Sequence, residues 1–288
     1  MRHETEYQYA SSVSLGHSQL FLRPRDLPGQ RCLSNMIVLD PEPEVMHTRV
    51  DYFGNTTVLF MVEEPHSRML ITTESEVEVA VFDGLEGGDD PAWETVRDGV
   101  RGDVTRAGLH AMEFLFDSPM VREQADVTAY AMSSFTPGRG VVEATRELTH
   151  RIYTDFKYDP TTTTVTTAVS EVFEQRSGVC QDFAHLQLAM LRGVGLPARY
   201  VSGYLRTFRD QSAGDPELVG ADASHAWLSV YAGGGRWVDF DPTNDQIPGE
   251  YHVTLAWGRD YGDVTPVKGV IVGGGEQVIE VRVEVSPV

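Results

Sequence analysis

The sequence predicts an α+β fold in which an antiparallel β-sandwich is followed by a core of helices packed on an antiparallel sheet or barrel. Short runs rich in β-branched and aromatic residues, separated by Pro, Gly and Asn, fill the first part of the chain. From Pro91 the apolar residues recur at helical spacing, and from Ala198 strand-like runs return. We therefore predict two domains, a β-rich module over residues 1–85 and a core over residues 86–288 that includes the C-terminal strands.

The N-terminal module is predicted to begin with a strand over residues 3–9, because polar and apolar residues alternate there with a period of two. A turn is predicted at Phe53-Gly54-Asn55. The further predicted strands are residues 19–22, 35–39, 48–52, 57–62, 69–73 and 77–82. We place the domain boundary at the polar break that follows, which contains Gly84, Gly87, Gly88, Asp89 and Asp90.

The core is predicted to begin with helices and to end with strands. The clearest helical spacing covers residues 141–156, a short helix is predicted over 168–175, and another begins at Cys180 and ends near Gly193. The predicted strands of the core are residues 198–204, 226–231, 236–240, 252–256 and 277–285.

Composition excludes some partners. The 288 residues contain 23 Lys and Arg against 43 Asp and Glu, a net charge of −20, which disfavours binding to nucleic acid. Lys157 and Lys268 are the only lysines, so a polybasic membrane anchor is not expected. The start lacks a secretory signal and no apolar run is long enough to span a membrane, so we expect a cytoplasmic protein without membrane contact.

Cys180 is the candidate nucleophile of the two cysteines. A cytoplasmic protein keeps its thiols reduced, although a single disulfide between Cys32 and Cys180 is the alternative. Cys32 lies in a β-rich segment and is interpreted as a small buried hydrophobic residue. Cys180 lies at the predicted start of a helix, where unpaired N–H groups favour a thiolate.

A thiol nucleophile needs a base, and His225 is the best of nine histidines. His185 follows Cys180 by five positions on the same helix, which turns it about 140° away, so we expect a structural role. His225 opens a strand that runs into three glycines and returns through Asp241. A three-residue loop over 232–234 would place Asp241 directly opposite His225, and Asp239 opposite Trp227.

These positions suggest acyl-transfer chemistry. Cys180 would attack a carbonyl to give a thioester, His225 would carry the proton, and Asp241 would orient the imidazole. Pro242 is expected to end the strand and leave the Asp241 carboxylate at a rim. The Cys180 backbone N–H could stabilise the oxyanion together with one side chain; the candidates are Tyr158, Gln181 and Tyr204. Without a CxxC or HxxxH pattern, we expect neither a metal site nor a cofactor.

The chain resembles bacterial transglutaminase-like proteins over nearly its whole length. The core resemblance lies in residues 178–185 (GVCQDFAH), 195–204 (GLPARYVSGY), 224–227 (SHAW) and 237–244 (WVDFDPTN). Residues 51–55 (DYFGN) are similar to the N-terminal module of these proteins, and residues 258–266 (GRDYGDVTP) to their tail. The resemblance implies a papain-like fold, Cys180, His225 and Asp241 as the triad, and chemistry without a metal cofactor.

The resemblance leaves the reaction open, because similar cores include cross-linking enzymes, proteases, amidases and inactive scaffolds. We favour hydrolysis of peptide or amide bonds, since water needs no second binding site. The alternatives are a protein-glutamine cross-linking transglutaminase and a non-catalytic binding module. Arg199, Arg259, Asp260 and Tyr261 are candidates for substrate contacts, with structural packing as the alternative for each, and Trp227 and Trp237 could stack on substrate or pack in the core.

Overall fold

The computed structural model describes residues 1–80, 88–206, 218–219 and 224–287. The predicted domain boundary at residue 85 lies outside the described residues, as do Gly84 and Gly87 of the polar break. The end of the strand predicted over 77–82 lies outside them as well.

The first sheet is antiparallel and is organised around its longest strand. Its strands are β1 (Arg2–Leu20), β2 (Gln30–Asp40), β3 (Val45–Val50), β4 (Thr56–Val62) and β5 (His66–Val79), together with two strands from the end of the chain, β12 (Val267–Gly273) and β13 (Gln277–Glu284). Residues 2–8 of β1 pair with β5 and β13, and residues 16–20 pair with β4 and β12. β2 pairs with β5, and β3 with β4. The N-terminal region is thus antiparallel and β-rich, as predicted.

The C-terminal strands lie in this first sheet, whereas the sequence analysis grouped them with the core. The N–H and C=O groups along both edges of β1 need hydrogen-bond partners. β12 and β13 supply these partners along one of the two edges. The sequence pattern did not predict β12, because its Lys and Gly residues interrupt an otherwise apolar run and none of its residues is buried.

The core contains a second sheet with helices packed on it. The helices are α1 (Trp93–Gly102), α2 (Arg106–Met112), a 3-10 turn (Glu113–Leu115), α3 (Ala125–Met132), α4 (Val141–Asp155), α5 (Val169–Gln175), α6 (Cys180–Gly193) and α7 (Tyr261–Val264). The sheet has the order β10 (Trp237–Phe240), β9 (His225–Tyr231), β8 (Ala198–Leu205), β11 (His252–Gly258). β6 (Lys157–Tyr158) and β7 (Ser177–Gly178) form a parallel pair. The predicted helices over 141–156, 168–175 and from Cys180 are confirmed to within a residue.

Helix α6 lies at the centre of the core. All of its residues from Gln181 to Arg192 are buried, because α6 packs on β8 and β9 and is covered by α3, α4 and α5. A helix enclosed on all sides holds its first residue, Cys180, in a fixed position against β9. None of the helices in the described ranges has the length and apolar character needed to cross a bilayer.

Amide side chains from the first sheet pair with the outer edge of β11. Gln30 donates to the Thr254 carbonyl at 2.8 Å and accepts from the Thr254 N–H at 2.8 Å. Asn55 does the same at Trp257, with distances of 2.8 and 3.0 Å. An edge strand has unpaired backbone groups, and these two side chains satisfy them as a neighbouring strand would.

A buried histidine provides another connection between the sheets. His3 on β1 is 2% exposed, and its two ring nitrogens lie 2.7 Å from the Tyr204 hydroxyl and 2.7 Å from the Thr5 hydroxyl. Burial lowers the pKa of His3 to about 4. The folded protein therefore holds this imidazole neutral at pH values at which an unfolded chain would protonate it.

Replacing His3 with Gln should reduce the loss of stability on acidification. The unfolded chain binds a proton near pH ~6.5 and the folded chain only near pH ~4, so the free energy of unfolding falls between these values, by about 3 kcal/mol for this residue. Urea unfolding at neutral and mildly acidic pH measures the effect, and His47→Gln on an exposed residue is the control. An unchanged acid dependence in His3→Gln would contradict the assignment.

Candidate active site

Cys180 is the first residue of α6, and the start of this helix is fixed by an acidic side chain. The Asp182 carboxylate accepts from the Val179 N–H at 2.8 Å and from the Thr163 hydroxyl at 2.6 Å. A carboxylate in the first turn satisfies a free N–H group and complements the helix dipole. The half-buried Cys180 side chain interacts with His225, the first residue of β9.

His225, the first residue of β9, lies between Cys180 and Asp241. It is 1% exposed, and its Nε2 atom lies 2.8 Å from Asp241 Oδ2. The other ring nitrogen, Nδ1, is buried and has no hydrogen-bond partner among the described residues. It is therefore the nitrogen available to the Cys180 thiol. Burial by itself would lower the pKa of His225, but the negative charge of Asp241, the hydrogen bond to it and the interaction with Cys180 raise the pKa well above its usual range.

Asp241 is fully buried, and five donors surround its carboxylate. Oδ2 lies 2.8 Å from His225 Nε2, 3.2 Å from His252 Nε2 and 2.8 Å from the Asn244 amide. Oδ1 accepts from the backbone N–H groups of Thr243 and Asn244, at 2.9 and 3.3 Å. Burial by itself would raise the pKa of Asp241, but its interactions with His225 and His252 hold the pKa well below its usual range. The carboxylate is therefore ionised and fixed in orientation.

The register of the β9–β10 hairpin differs from the predicted one. Tyr231 pairs with Trp237 and Ser229 with Asp239, so the predicted direct pair of His225 with Asp241 is wrong. The loop consists of Gly233–Gly235, all at positive φ, rather than residues 232–234. Glycine adopts this backbone conformation freely, whereas Ala232 would be strained in it.

The register error equals two residues, which keeps every side chain on its predicted face. Asp241 therefore still lies on the side of His225 and reaches it diagonally. The prediction that Asp241 lies at a rim is also wrong, since it is 0% exposed. Beyond Phe240 the chain turns back, and the Asp241 N–H and C=O pair with Gln246, which encloses the carboxylate.

Asp239 holds the tryptophan beside the histidine. Its carboxylate accepts from the Trp227 indole N–H at 3.0 Å and from the Ser229 hydroxyl. The Trp227 ring then lies 6.1 Å from the His225 ring and 5.3 Å from the His252 ring, measured between centroids. Trp227 is 0% exposed, so it packs in the core, and Asp239 has a supporting position behind the site.

Of the side chains predicted for oxyanion or substrate contacts, Tyr158 and Tyr261 lie beside Cys180. Burial raises the pKa of both, and the charge of the nearby Cys180 raises it further. The Gln181 amide instead donates to the Val165 carbonyl at 2.9 Å. Tyr204 lies elsewhere, since its buried hydroxyl bonds to His3 of the first sheet, so its prediction as an oxyanion donor is wrong.

Arg259 and Asp260 make structural contacts. Arg259 forms a two-pronged ion pair with Asp263, with both distances 2.9 Å. Asp260 is 1% exposed and accepts from the N–H groups of Met120 and Gly262, each at 2.9 Å, which caps α7.

His185 has the structural position that the helix geometry predicts. Its Nε2 atom accepts from the Tyr261 N–H at 3.1 Å, and its ring lies 5.1 Å from the Tyr200 ring. Burial lowers the pKa of His185 to about 4, so the ring is neutral. His185 thus supports the segment that carries Tyr261.

Sequence reasoning missed two partners of Asp241. Asn244 lies three residues beyond it, and a turn after Pro242 was the signal that could have indicated this contact. His252 comes from β11, two strands away from β9 in the sheet, and no sequence pattern relates it to Asp241. Both side chains donate to the same oxygen that accepts from His225.

The same three groups could in principle hold a metal ion. One ligand atom from each of His225, Asp241 and His252 lies within 4.8 Å of the others. Both imidazole Nε2 atoms, however, already point at Asp241 Oδ2 at hydrogen-bond distance.

Cys32 and Cys180 are both free thiols, so the alternative of a disulfide is not observed.

The site combines a thiol at the start of a helix, an imidazole at the start of a strand and a buried carboxylate. Together with the fold, this Cys-His-Asp arrangement is that of papain-like proteins. The sequence matches two family models, the bacterial transglutaminase-like N-terminal region at residues 1–78 and the transglutaminase-like superfamily at residues 128–242. The chain belongs to the bacterial transglutaminase-like proteins.

Similar proteins extend over nearly the whole chain. An uncharacterized protein of Mycobacterium tuberculosis is 41% identical over 293 residues, covering 99% of this chain and 91% of the relative. One from Mycobacterium leprae is 32% identical, covering 99% and 96%. The solved structure of a "Putative Cysteine Protease" from Cytophaga hutchinsonii has a TM-score of 0.70 at 22% identity and covers 97% of this chain and 88% of that one, which shows the shared fold.

Replacing Gly203 with Ala should destabilise the site. Gly203 on β8 pairs with His225, and a Cβ atom there would lie 2.2 Å from the Val253 carbonyl oxygen and 2.3 Å from the Trp227 ring. We expect a loss of about 3 kcal/mol in the free energy of unfolding, because backbone and a fixed indole cannot yield. Urea unfolding measures it, with Gly249→Ala, where a Cβ meets no atom within 4 Å, as the matched control. Equal stabilities of the two variants would contradict this packing.

Proposed function

We propose that the protein is a thiol-dependent enzyme that hydrolyses amide bonds in peptides or proteins. The observation that carries the proposal is the buried His225, which interacts with Cys180 and has a fully ionised carboxylate on its other nitrogen. Such a carboxylate stabilises the imidazolium and leaves Nδ1 directed at the nucleophile. A scaffold that only binds partners has no need for this buried pair of charges.

The residues suggest the following steps. In the resting thiolate–imidazolium pair the proton of Cys180 is already on His225 Nδ1; the Sγ thiolate forms a bond to the substrate carbonyl carbon, and the π electrons of the carbonyl move to its oxygen. The tetrahedral intermediate expels an amine, which takes the proton from His225, and a thioester remains on Cys180. Water then attacks the thioester and transfers a proton to His225, and the acid is released as the Sγ–C bond breaks.

The oxyanion would be stabilised at the start of α6. The Cys180 N–H is in the first turn, where N–H groups have no partner within the helix. Tyr158 and Tyr261 are two side chains near Cys180 that carry a hydroxyl donor. Burial raises the pKa of both, so their hydroxyls remain protonated and able to donate near neutral pH.

Transfer of the acyl group to an amine is the second candidate. A stretch of 77 residues is 35% identical to a protein-glutamine gamma-glutamyltransferase of Pseudomonas aeruginosa, covering 27% of this chain and 11% of that protein. The steps up to the thioester are shared, so the two reactions differ only in the acceptor. Hydrolysis remains the first choice, because water needs no binding site of its own.

Alkylation by iodoacetamide should be faster at Cys180 than at Cys32. Partial burial raises the pKa of Cys32, so this thiol is an internal reference. A thiolate–imidazolium pair should keep Cys180 reactive well below pH ~8.5, and His225→Gln should slow it about tenfold or more. Gln can still donate to Asp241, which avoids an unpaired buried charge.

Mass spectrometry of the alkylated peptides against pH measures both rates, with His150→Gln on an exposed residue as the control. Equal reactivity of Cys180 and Cys32, unchanged by His225→Gln, would refute the proposal.

Products formed in the presence of a primary amine should distinguish the two reactions. Casein, incubated with the enzyme and an excess of a fluorescent alkylamine, should yield cleaved or deamidated peptides with few amine adducts if water is the acceptor. Liquid chromatography with mass spectrometry identifies each product, and Cys180→Ala should abolish all of them. A majority of amine adducts would instead assign the transglutaminase reaction.

A further inference from the structure

A cavity of about 400 Å³ lies between the two sheets, apart from the proposed nucleophile. Its walls include Gln30 and Val79 from the first sheet and Arg199, Trp237 and Trp257 from the second. Neither Cys180 nor His225 lines it, whereas His252, which contacts Asp241 on its other side, does. The walls are mostly apolar, which is typical of sites for small organic molecules.

Arg199 is a buried cation on this wall that has no hydrogen-bond acceptor in the described part of the chain. It is 8% exposed, and its guanidinium lies 4.4 Å from the Trp237 ring centroid and 3.6 Å from that of Trp257. Its Nε atom is buried and without a partner among the described residues. Arginine is rarely buried unless it is paired, because an uncompensated buried charge is costly.

The Arg199 guanidinium has a second guanidinium nearby and no carboxylate hydrogen-bonded to it among the described residues. Arg25 stacks on the same indole of Trp257, at 3.5 Å, which places a second guanidinium close to the first. Asp239 is the acidic residue whose charge acts on Arg199, but its oxygens accept from Trp227 and Ser229. Asp51 acts in the same way on Arg25, and its oxygens accept from the backbone and amide N–H groups of Asn55. Neither carboxylate is hydrogen-bonded to Arg199.

Two further nitrogen atoms around the cavity also lack partners within the described ranges: the Trp257 indole N–H is a donor, whereas His252 Nδ1 is an acceptor when Nε2 donates to Asp241. The Trp257 indole nitrogen and His252 Nδ1 are buried and have no partner among the described residues. Most buried polar atoms in proteins are hydrogen-bonded. Three residues with an unpartnered nitrogen around one cavity therefore indicate that a polar ligand belongs there.

We propose that this cavity binds a small organic carboxylate, with its two oxygens on the Arg199 guanidinium and its apolar body between the sheets. The planar guanidinium offers two parallel N–H donors, which matches a carboxylate. A phosphate has more oxygen atoms to be hydrogen-bonded, and the donors of Arg199 and the Trp257 indole are too few for them. The site is separate from the nucleophile, so the inference does not depend on the proposed amide hydrolysis.

Isothermal titration calorimetry with benzoate, and with benzamide as its neutral counterpart, tests the site. The wild-type protein should bind benzoate at least about tenfold more tightly than benzamide, because a charge-assisted hydrogen bond to arginine is lost with the amide. Arg199→Gln should weaken benzoate binding by about tenfold or more. Arg176→Gln is the matched control, since Arg176 also stacks on aromatic rings but lies outside the cavity lining.

Thermal unfolding provides a second readout that is independent of calorimetry. Benzoate should raise the Tm of wild type and of Arg176→Gln but not that of Arg199→Gln. Without ligand, Arg199→Gln should unfold at the same temperature as wild type or higher, because the substitution removes an unpaired buried charge. If that variant does not fold, the wild-type comparison of benzoate with benzamide decides alone.

Three results would overturn the proposal. These are equal binding of benzoate and benzamide, unchanged benzoate binding by Arg199→Gln, and tighter binding of inorganic phosphate than of benzoate to the wild-type cavity.

Discussion

The fully buried carboxylate of Asp241 is the constraint on which the site depends. A charge removed from water costs several kcal/mol unless donors replace its hydration. Here the turn after Phe240 supplies two N–H groups to Oδ1. The side chains of His225, His252 and Asn244 donate to Oδ2. The ionised state of Asp241 in turn raises the pKa of His225. Asp241 and His225 therefore stabilise each other's charged form.

The order of the second sheet explains how these groups meet. His225 begins β9 and His252 begins β11, with β8 between them. Opposite His225 on β8 is Gly203, where the Trp227 ring occupies the space that a side chain would fill. The absence of a Cβ atom at this position lets two histidines from separate strands approach one carboxylate across the sheet. The geometry of the Asp241 cluster thus depends on a glycine at this position.

The sequence predicts the local parts of this arrangement and misses the contacts between residues that are far apart in the chain. Helix α6 and the face shared by His225 and Asp241 follow from local periodicity, which survives an error of two residues in register. The loop that sets the register depends on which glycines adopt positive φ, and three neighbouring glycines made that choice ambiguous. His252 and the partners of β1 depend on strand order, for which one sequence carries no local signal.

The N-terminal module takes part in building the core as well as covering it. Strand β11 carries His252, and its free edge is completed by the amides of Gln30 and Asn55. The same strand contributes Trp257 to the wall of the cavity that Arg199 faces. The contact between the sheets and the Asp241 cluster therefore meet on β11, through His252. The division of the chain into two sequence modules does not divide the interactions that hold the buried carboxylate of Asp241.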